Sequence, residues 1–163
     1  MRNCRRWPVH GPWGKALRAA NPHPLVCHAI DTAAVAELLY DVLLGPQVRR
    51  ALEDGLRSLG DARAWVAVLC GWHDIGKCTP IFQAMRGELT AEHLGAEVDG
   101  LMKTLEPDAH DHEVRTAHGT MTAVHLRRFL AERGADVELQ DALAYGLGGH
   151  HGSFLSTHEV QAA

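Results

Sequence analysis

The sequence predicts an all-α domain built as a helical bundle. Three observations carry that expectation: strand-like alternation is nearly absent, apolar residues recur at helical spacing, and Gly and Pro punctuate the stretches between. With 163 residues, 46% of them hydrophobic, the chain has material for one domain around one core and too much apolar content for disorder. No linker, repeat or low-complexity tract divides it, so residues 1–163 are expected to form a single domain.

Taken in order, residues 1–24 mix Pro and Gly irregularly and are expected to form an extended arm, pinned to the body by Trp7 and Trp13. From about Leu25 to Leu44, the residues Val35, Leu38, Leu39, Val42 and Leu43 fall at helical spacing, and Gly45-Pro46 stops that helix. A shorter helix is predicted over about 47–59, with Val48, Leu52, Leu56 and Leu59 on one stripe. Ala62 to about Gly76 carries Trp65, Val66, Val68, Leu69 and Trp72, which predicts a central, buried helix. Thr79-Pro80 reads as an N-cap followed by Pro at the first position of a short helix through Phe82 and Met85. Thr90–Leu105 reads as a weaker amphipathic helix, 106–115 as a polar loop around Pro107, and Thr116–Arg133 as a helix with Met121, Val124, Phe129 and Leu130 apolar. A last helix spans about 137–148 and ends at Gly148-Gly149.

Composition narrows the function. With 16 basic against 20 acidic side chains, the net charge of −4 argues against broad electrostatic binding of nucleic acid. It leaves room for a nuclease whose metal ions meet phosphates locally. None of the four cysteines, Cys4, Cys27, Cys70 and Cys78, forms a C-x-x-C pair, so a zinc finger or redox motif is not indicated. Cys27 and Cys70 sit in apolar surroundings and read as small buried hydrophobes. The N-terminus lacks an apolar secretory core, and no apolar run approaches the ~18 residues of a membrane span. A cytoplasmic protein without membrane partners is expected.

The chemistry concentrates in histidines, of which there are 12, and in their placement. In Trp72-His73-Asp74-Ile75-Gly76-Lys77 an imidazole and a carboxylate, which together suit a divalent transition metal, close a buried apolar helix. Taken alone, the pair reads equally well as a helix C-terminus with His73 favourable at the dipole. His150-His151, between Gly148-Gly149 and Gly152, has the backbone freedom to face one ion, and alone reads as a solvated helix cap. His28 opens the first long helix, with Asp31 three residues on and placed to orient its ring; alone, the two read equally as a capping histidine and an acid favourable near the positive helix end. His118 opens the helix that follows the polar loop, where a lone histidine is more often structural than a ligand. Every member of this set falls at a helix end, where a bundle can aim side chains into one pocket, and convergence of all six is expected.

The order His28, His73-Asp74, His118, His150-His151 resembles the HD superfamily of metal-dependent phosphohydrolases. The fuller stretch His73-Asp74-Ile75-Gly76-Lys77-Cys78-Thr79-Pro80-Ile81-Phe82-Gln83 is narrower. It resembles the HD nuclease domain of the CRISPR-associated nuclease–helicase of type I systems. Trp13-Gly14-Lys15, His23-Pro24-Leu25 to His28, Asp31 to Ala36, Ala117-His118-Gly119 and Gly148 to Gly152 resemble the same family, so the similarity runs from about residue 13 to 156.

The resemblance implies an HD-domain bundle holding one or two divalent ions: manganese, iron, cobalt, nickel or magnesium. One ion would be held by His28, His73 and Asp74 plus a later Asp of the family, the other by Asp74, His118, His150 and His151. Asp74 would bridge them, and Lys77 would neutralise charge on the scissile phosphate, although it reads equally as a helix-terminal lysine. The implied substrate is single-stranded DNA, cut endonucleolytically. The implied partners are a Cascade-type effector complex and a helicase domain or subunit. The chain ends at Ala163, before the family's later Asp, so a bundle lacking the C-terminal helices of longer homologues is expected. A generic HD nucleotide phosphohydrolase and a catalytically impaired remnant serving as an interaction module are the alternatives. His110-Asp111-His112 reads as a solvated loop cluster, and His93 and His158 as surface residues. His125 lies two helical turns, ~10 Å, from His118 and so is too far for the same ion.

Overall fold

The computed structural model describes residues 11–15, 23–105 and 112–152, with the side chains of 81, 102, 103, 105 and 112–117 outside that set. Most of the expected arm, including Trp7, and the expected loop cluster at His110-Asp111 therefore lie outside the described residues, as do Cys4 and His158. Among the described residues the fold is all-α, with eight α-helices and one small two-stranded sheet. That sheet is absent from the sequence reading. It pairs β1 (Trp13–Lys15) antiparallel with β2 (His23–Pro24), across a register irregularity.

α1 (Leu25–Leu43) begins after Pro24 and ends at Leu44, whose extended backbone suits the Gly45-Pro46 turn that follows. Pro46 then sits in the first turn of α2 (Pro46–Gly55), where a missing N–H costs nothing. The Asp61 side chain accepts from the Arg63 N–H (3.2 Å) and caps α3 (Ala62–Trp72). α3 ends earlier than expected, and a 3-10 turn (Ile75–Cys78) follows. Next come α4 (Pro80–Ala84), α5 (Gly87–Leu94) and α6 (Ala96–Leu105). The single helix expected over 90–105 is broken because Gly95 adopts φ +97°, which ends α5. α7 (His112–Glu132) starts before the expected Thr116, and α8 (Val137–Gly148) is capped by Asp136, whose side chain accepts from Leu139 N–H (2.8 Å).

The core forms where α3, α7 and α8 meet. Leu69, Leu126, Leu130 and Ala135 are buried there, with Trp65, Trp72, Phe129 and Leu147 packed around them. Trp72 and Phe129 rings stand 4.5 Å apart. A second cluster joins Trp13, Phe82 and Leu89.

One expectation inverts. The α1 stripe Val35, Leu38, Leu39, Val42 and Leu43 is exposed, with Leu38 at 71% and Val42 at 77%. α1 instead meets α3 along its small-residue face. A Cβ on Gly71 would lie 2.9 Å from the Ala29 carbonyl oxygen and 3.1 Å from the Ala33 Cβ. Helical periodicity marks two faces on α1, and the alanine-rich one allows the closer approach. That close crossing sets His28, next to Ala29, beside the end of α3.

Candidate metal centre

Six side chains from four places in the chain converge. His28 lies in the first turn of α1, His73 caps α3, and Asp74 leads into the 3-10 turn. His150 and His151 follow the end of α8. His118 is not at a helix start, because α7 begins at His112; it sits in the second turn, with its ring buried. The polar, Pro-containing sequence before it reads as loop, yet α7 starts four residues before that reading allows.

Asp74 is the hub. It is 4% exposed, so its charge must be met within the protein. Its Oδ2 lies 3.1 Å from His28 Nε2, 3.2 Å from His73 Nε2 and 2.5 Å from Lys77 Nζ. Its Oδ1 lies 3.4 Å from both His118 Nε2 and His150 Nε2. His151 Nε2 faces His118 Nε2 at 2.8 Å. The potential ligand atoms therefore fall into two sets, His28-His73-Asp74 and Asp74-His118-His150-His151, each within 4.8 Å across, and the carboxylate gives one oxygen to each.

The tautomers follow from carbonyl partners, which only accept. His73 Nδ1 donates to Cys70 O (2.7 Å) and His150 Nδ1 donates to Leu147 O (2.6 Å). In each neutral ring Nε2 is then a lone pair, directed toward a carboxylate oxygen. Two lone pairs in that arrangement repel unless a cation lies between them or the ring is protonated. Asp74 Oδ1 and His150 Nε2 are buried and make no hydrogen bond with any described residue. Carbonyl-anchored imidazoles beside a bridging carboxylate form a donor set that fits divalent ions.

The electrostatics agree. Burial pushes the Asp74 carboxyl up, but His118, His150, His73 and Lys77 around it hold it far below the usual carboxylate range. His73 is raised, chiefly by its contact with Asp74 and against its burial. His28 is lowered by burial, against the pull of Asp74. His151 is lowered by burial and by neighbouring His150 and His118.

Other expectations resolve differently. Asp31 does not orient His28. It is exposed and pairs with His23 Nε2 at 3.2 Å, because one turn of α1 points it at β2 rather than at the pocket. Thr79 does not cap α4 through its side chain; its hydroxyl donates to Gly76 O (2.8 Å). His93 is partly buried rather than on the surface, and His125 is exposed and apart from the cluster. Cys27 is buried, whereas Cys70 is half-buried; burial raises the Cys70 and Cys78 thiols, and neither belongs to either ligand set.

Two buried polar residues support the centre: Gln83, the last residue of the family-like stretch, and Thr122, which carries no motif signal. The Gln83 carboxamide accepts from Trp13 N–H (3.1 Å) and donates to Trp13 O (2.9 Å) and Lys77 O (2.7 Å), tying β1 to the turn. Thr122 joins the same turn to α7. Behind the ligands, the Phe82 ring meets His118 edge-on at 5.3 Å.

An all-α domain that gathers a His-Asp pair and four further histidines around one carboxylate belongs to the HD class of helical domains. The chain is a member of the family described as Cas3, HD domain, which matches residues 13–163. It is 40% identical over 157 residues to the CRISPR-associated endonuclease/helicase Cas3 of Thermus thermophilus, covering 93% of this chain and 15% of that protein. The chain thus spans about a seventh of the length of that relative. No solved structure matches. Among the described residues, no helix is long and apolar enough to cross a membrane.

Proposed function

We propose that this chain is a metal-dependent endonuclease that hydrolyses phosphodiester bonds of single-stranded DNA in type I CRISPR interference. The observation that carries the reading is the split of the Asp74 carboxylate, one oxygen toward each ligand set. His28, His73 and Asp74 would hold one divalent ion, and Asp74, His118, His150 and His151 the other. Such ions supply Lewis acidity toward a phosphodiester and lower the pKa of a water nucleophile. The protein's part is to fix the ligands and to bring substrate to them. His73 and His150 are anchored by backbone carbonyls, so each ring keeps one orientation. Lys77, beside Asp74 and partly exposed, offers an ammonium to a phosphate oxygen at the edge of the pocket.

Manganese, iron, cobalt and nickel suit the imidazole-rich sets, and magnesium suits the carboxylate. The relative's name, an endonuclease/helicase, supports a helicase domain or subunit as partner and a Cascade-type effector complex as the setting. A chain of net charge −4 gains little from broad electrostatics, so its hold on DNA would come from the ions and from such partners.

The test loads the chain with manganese, cobalt, nickel or magnesium and offers single-stranded DNA, duplex DNA and free nucleotides. Single strands should be cut internally and chelator should stop the reaction. Asp74→Ala should lower cleavage to background, while His125→Ala leaves it unchanged. Hydrolysis of nucleotides without DNA cleavage would instead support a generic HD phosphohydrolase, and no metal uptake with no activity would support a non-catalytic interaction module.

A further inference from the structure

We infer that Thr122 is a positioning residue that holds the two ligand sets in register; the inference rests on the metal-centre reading above. Thr122 lies on α7 one turn, ~6 Å, beyond His118. It is fully buried. Its Oγ1 accepts from the Gly76 N–H at 3.0 Å and donates to the His73 carbonyl at 3.1 Å. A hydroxyl has one proton, so the donor is spent on His73 and a lone pair on Gly76. Those two backbone groups bracket Asp74.

This use of a helical threonine is unusual. Its hydroxyl ordinarily returns to the carbonyl four residues back on its own helix, which here is that of His118. Instead it crosses to another element. The element it grips has little regularity of its own: Asp74 stands at φ −107° and ψ 11°, and the residues after it form a 3-10 turn, which is weakly bonded. The backbones meet closely enough for the grip because residue 76 is Gly; a Cβ there would fall 1.9 Å from the His118 oxygen.

The arrangement has a directional consequence. His28 and His73 approach Asp74 from the α1–α3 side, whereas His118 is delivered by α7. The 3.4 Å spacing between Asp74 Oδ1 and His118 Nε2 therefore depends on the seam between the turn and α7, and Thr122 fastens that seam. Losing the hydroxyl should disturb the four-ligand set more than the three-ligand set.

Thr122→Val keeps the shape and removes both hydrogen bonds, while Thr122→Ser keeps the hydroxyl. Manganese binding by calorimetry, on folded protein well below its melting temperature, should show binding to the four-ligand set weakened by about 10–100-fold in Thr122→Val. Thr122→Ser should restore it to within about threefold, since the same hydrogen bonds remain available. In the unaltered chain the Gly76 amide should exchange its hydrogen as slowly as the amides of α7. A lower melting temperature in Thr122→Val with unchanged manganese affinity would reduce Thr122 to a structural residue and overturn the inference alone. An unaltered chain that takes up no manganese would overturn the metal reading and the inference together. Should Thr122→Val fail to fold, the Gly76 amide and Thr122→Ser still decide: fast exchange, or weakened binding in the serine variant, overturns the role.

Discussion

The tightest contact near the centre is also the simplest to break. A Cβ built on Gly76 lies 1.9 Å from the His118 carbonyl oxygen and 2.8 Å from the Thr122 nitrogen, both backbone atoms with little room to yield. Carbon and carbonyl oxygen rest at about 3.4 Å, so Gly76→Ala must part the turn from α7 by about 1.5 Å. Overpacking of this kind costs about 1–3 kcal/mol. The same movement breaks the two hydrogen bonds of Thr122, each worth about 1 kcal/mol net and more when a buried group is left bare. The loss should total about 3–5 kcal/mol, a large share of the roughly 5–15 kcal/mol that holds a domain of this size. Urea unfolding of the metal-free protein measures it, with Gly100→Ala as the control. Gly100 lies inside α6 with nothing within 4 Å of its would-be Cβ, so that change should stabilise by about 0.5–1 kcal/mol. If Gly76→Ala cost less than about 1 kcal/mol, α7 would be yielding where it is argued to be rigid, and the close seam would lose its meaning.

Two further outcomes follow from burial and charge. Leu126→Ala should cost about 2–5 kcal/mol, because its side chain is fully buried among Leu69, Leu130 and their neighbours, whereas Leu38→Gln on the exposed α1 face should stay within about 0.5 kcal/mol; equal losses would mean that the α1 stripe is buried after all. In the metal-free chain His28 and His151 are held below the ordinary histidine value, so their stabilising share is present above about pH 6.5 and is lost as pH falls through their folded pKa values, with His73, raised, acting in the opposite sense. Thermal melts from pH 8 to 5 should show His151→Gln falling less steeply on acidification than the unaltered chain; an equal fall would refute the assignment.

How much of this is legible in the sequence depends on how local each feature is. α8 runs over the expected 137–148 because its limits are written locally, in a capping Asp136 and the Gly148-Gly149 stop. The start of α7 and the break at Gly95 escape a sequence reading, since polar composition around Pro107 resembles loop and a lone Gly in a helical pattern is often tolerated. The six candidate residues can be chosen from residue type and order, and the fold brings all six together. What cannot be chosen that way is the support. Asp31 satisfies the spacing rule for His28 yet faces His23, because spacing places a residue on a helix face without saying what covers that face. Thr122 is invisible in the same way: one of the three threonines of α7, it becomes a clamp only once the turn arrives beside it.

The division of the centre into unequal halves carries a last prediction. Among the described residues, one set offers a carboxylate oxygen and three imidazoles, the other a carboxylate oxygen and two. Affinity rises with the number of well-placed donors, so the four-ligand set should bind first. Proton competition acts in the same direction. Ligand imidazoles must be neutral. His151, in the larger set, is held below the ordinary histidine value and is ready to bind. His73, in the smaller set, is raised by its contact with Asp74, so protons compete harder with an incoming ion for it, although His28 beside it is lowered. Each proton released makes binding about tenfold weaker per unit fall in pH below the ligand's pKa. Calorimetric titration with manganese at pH 7.5 and 6.5 should therefore resolve a tight and a weak phase, with the weak phase losing more affinity on acidification. His28→Gln should remove the weak phase and spare the tight one. Two phases of equal affinity would refute the asymmetry, and a single phase lost outright in His28→Gln would show that the ligands act as one undivided site and that the Asp74 carboxylate does not serve two ions.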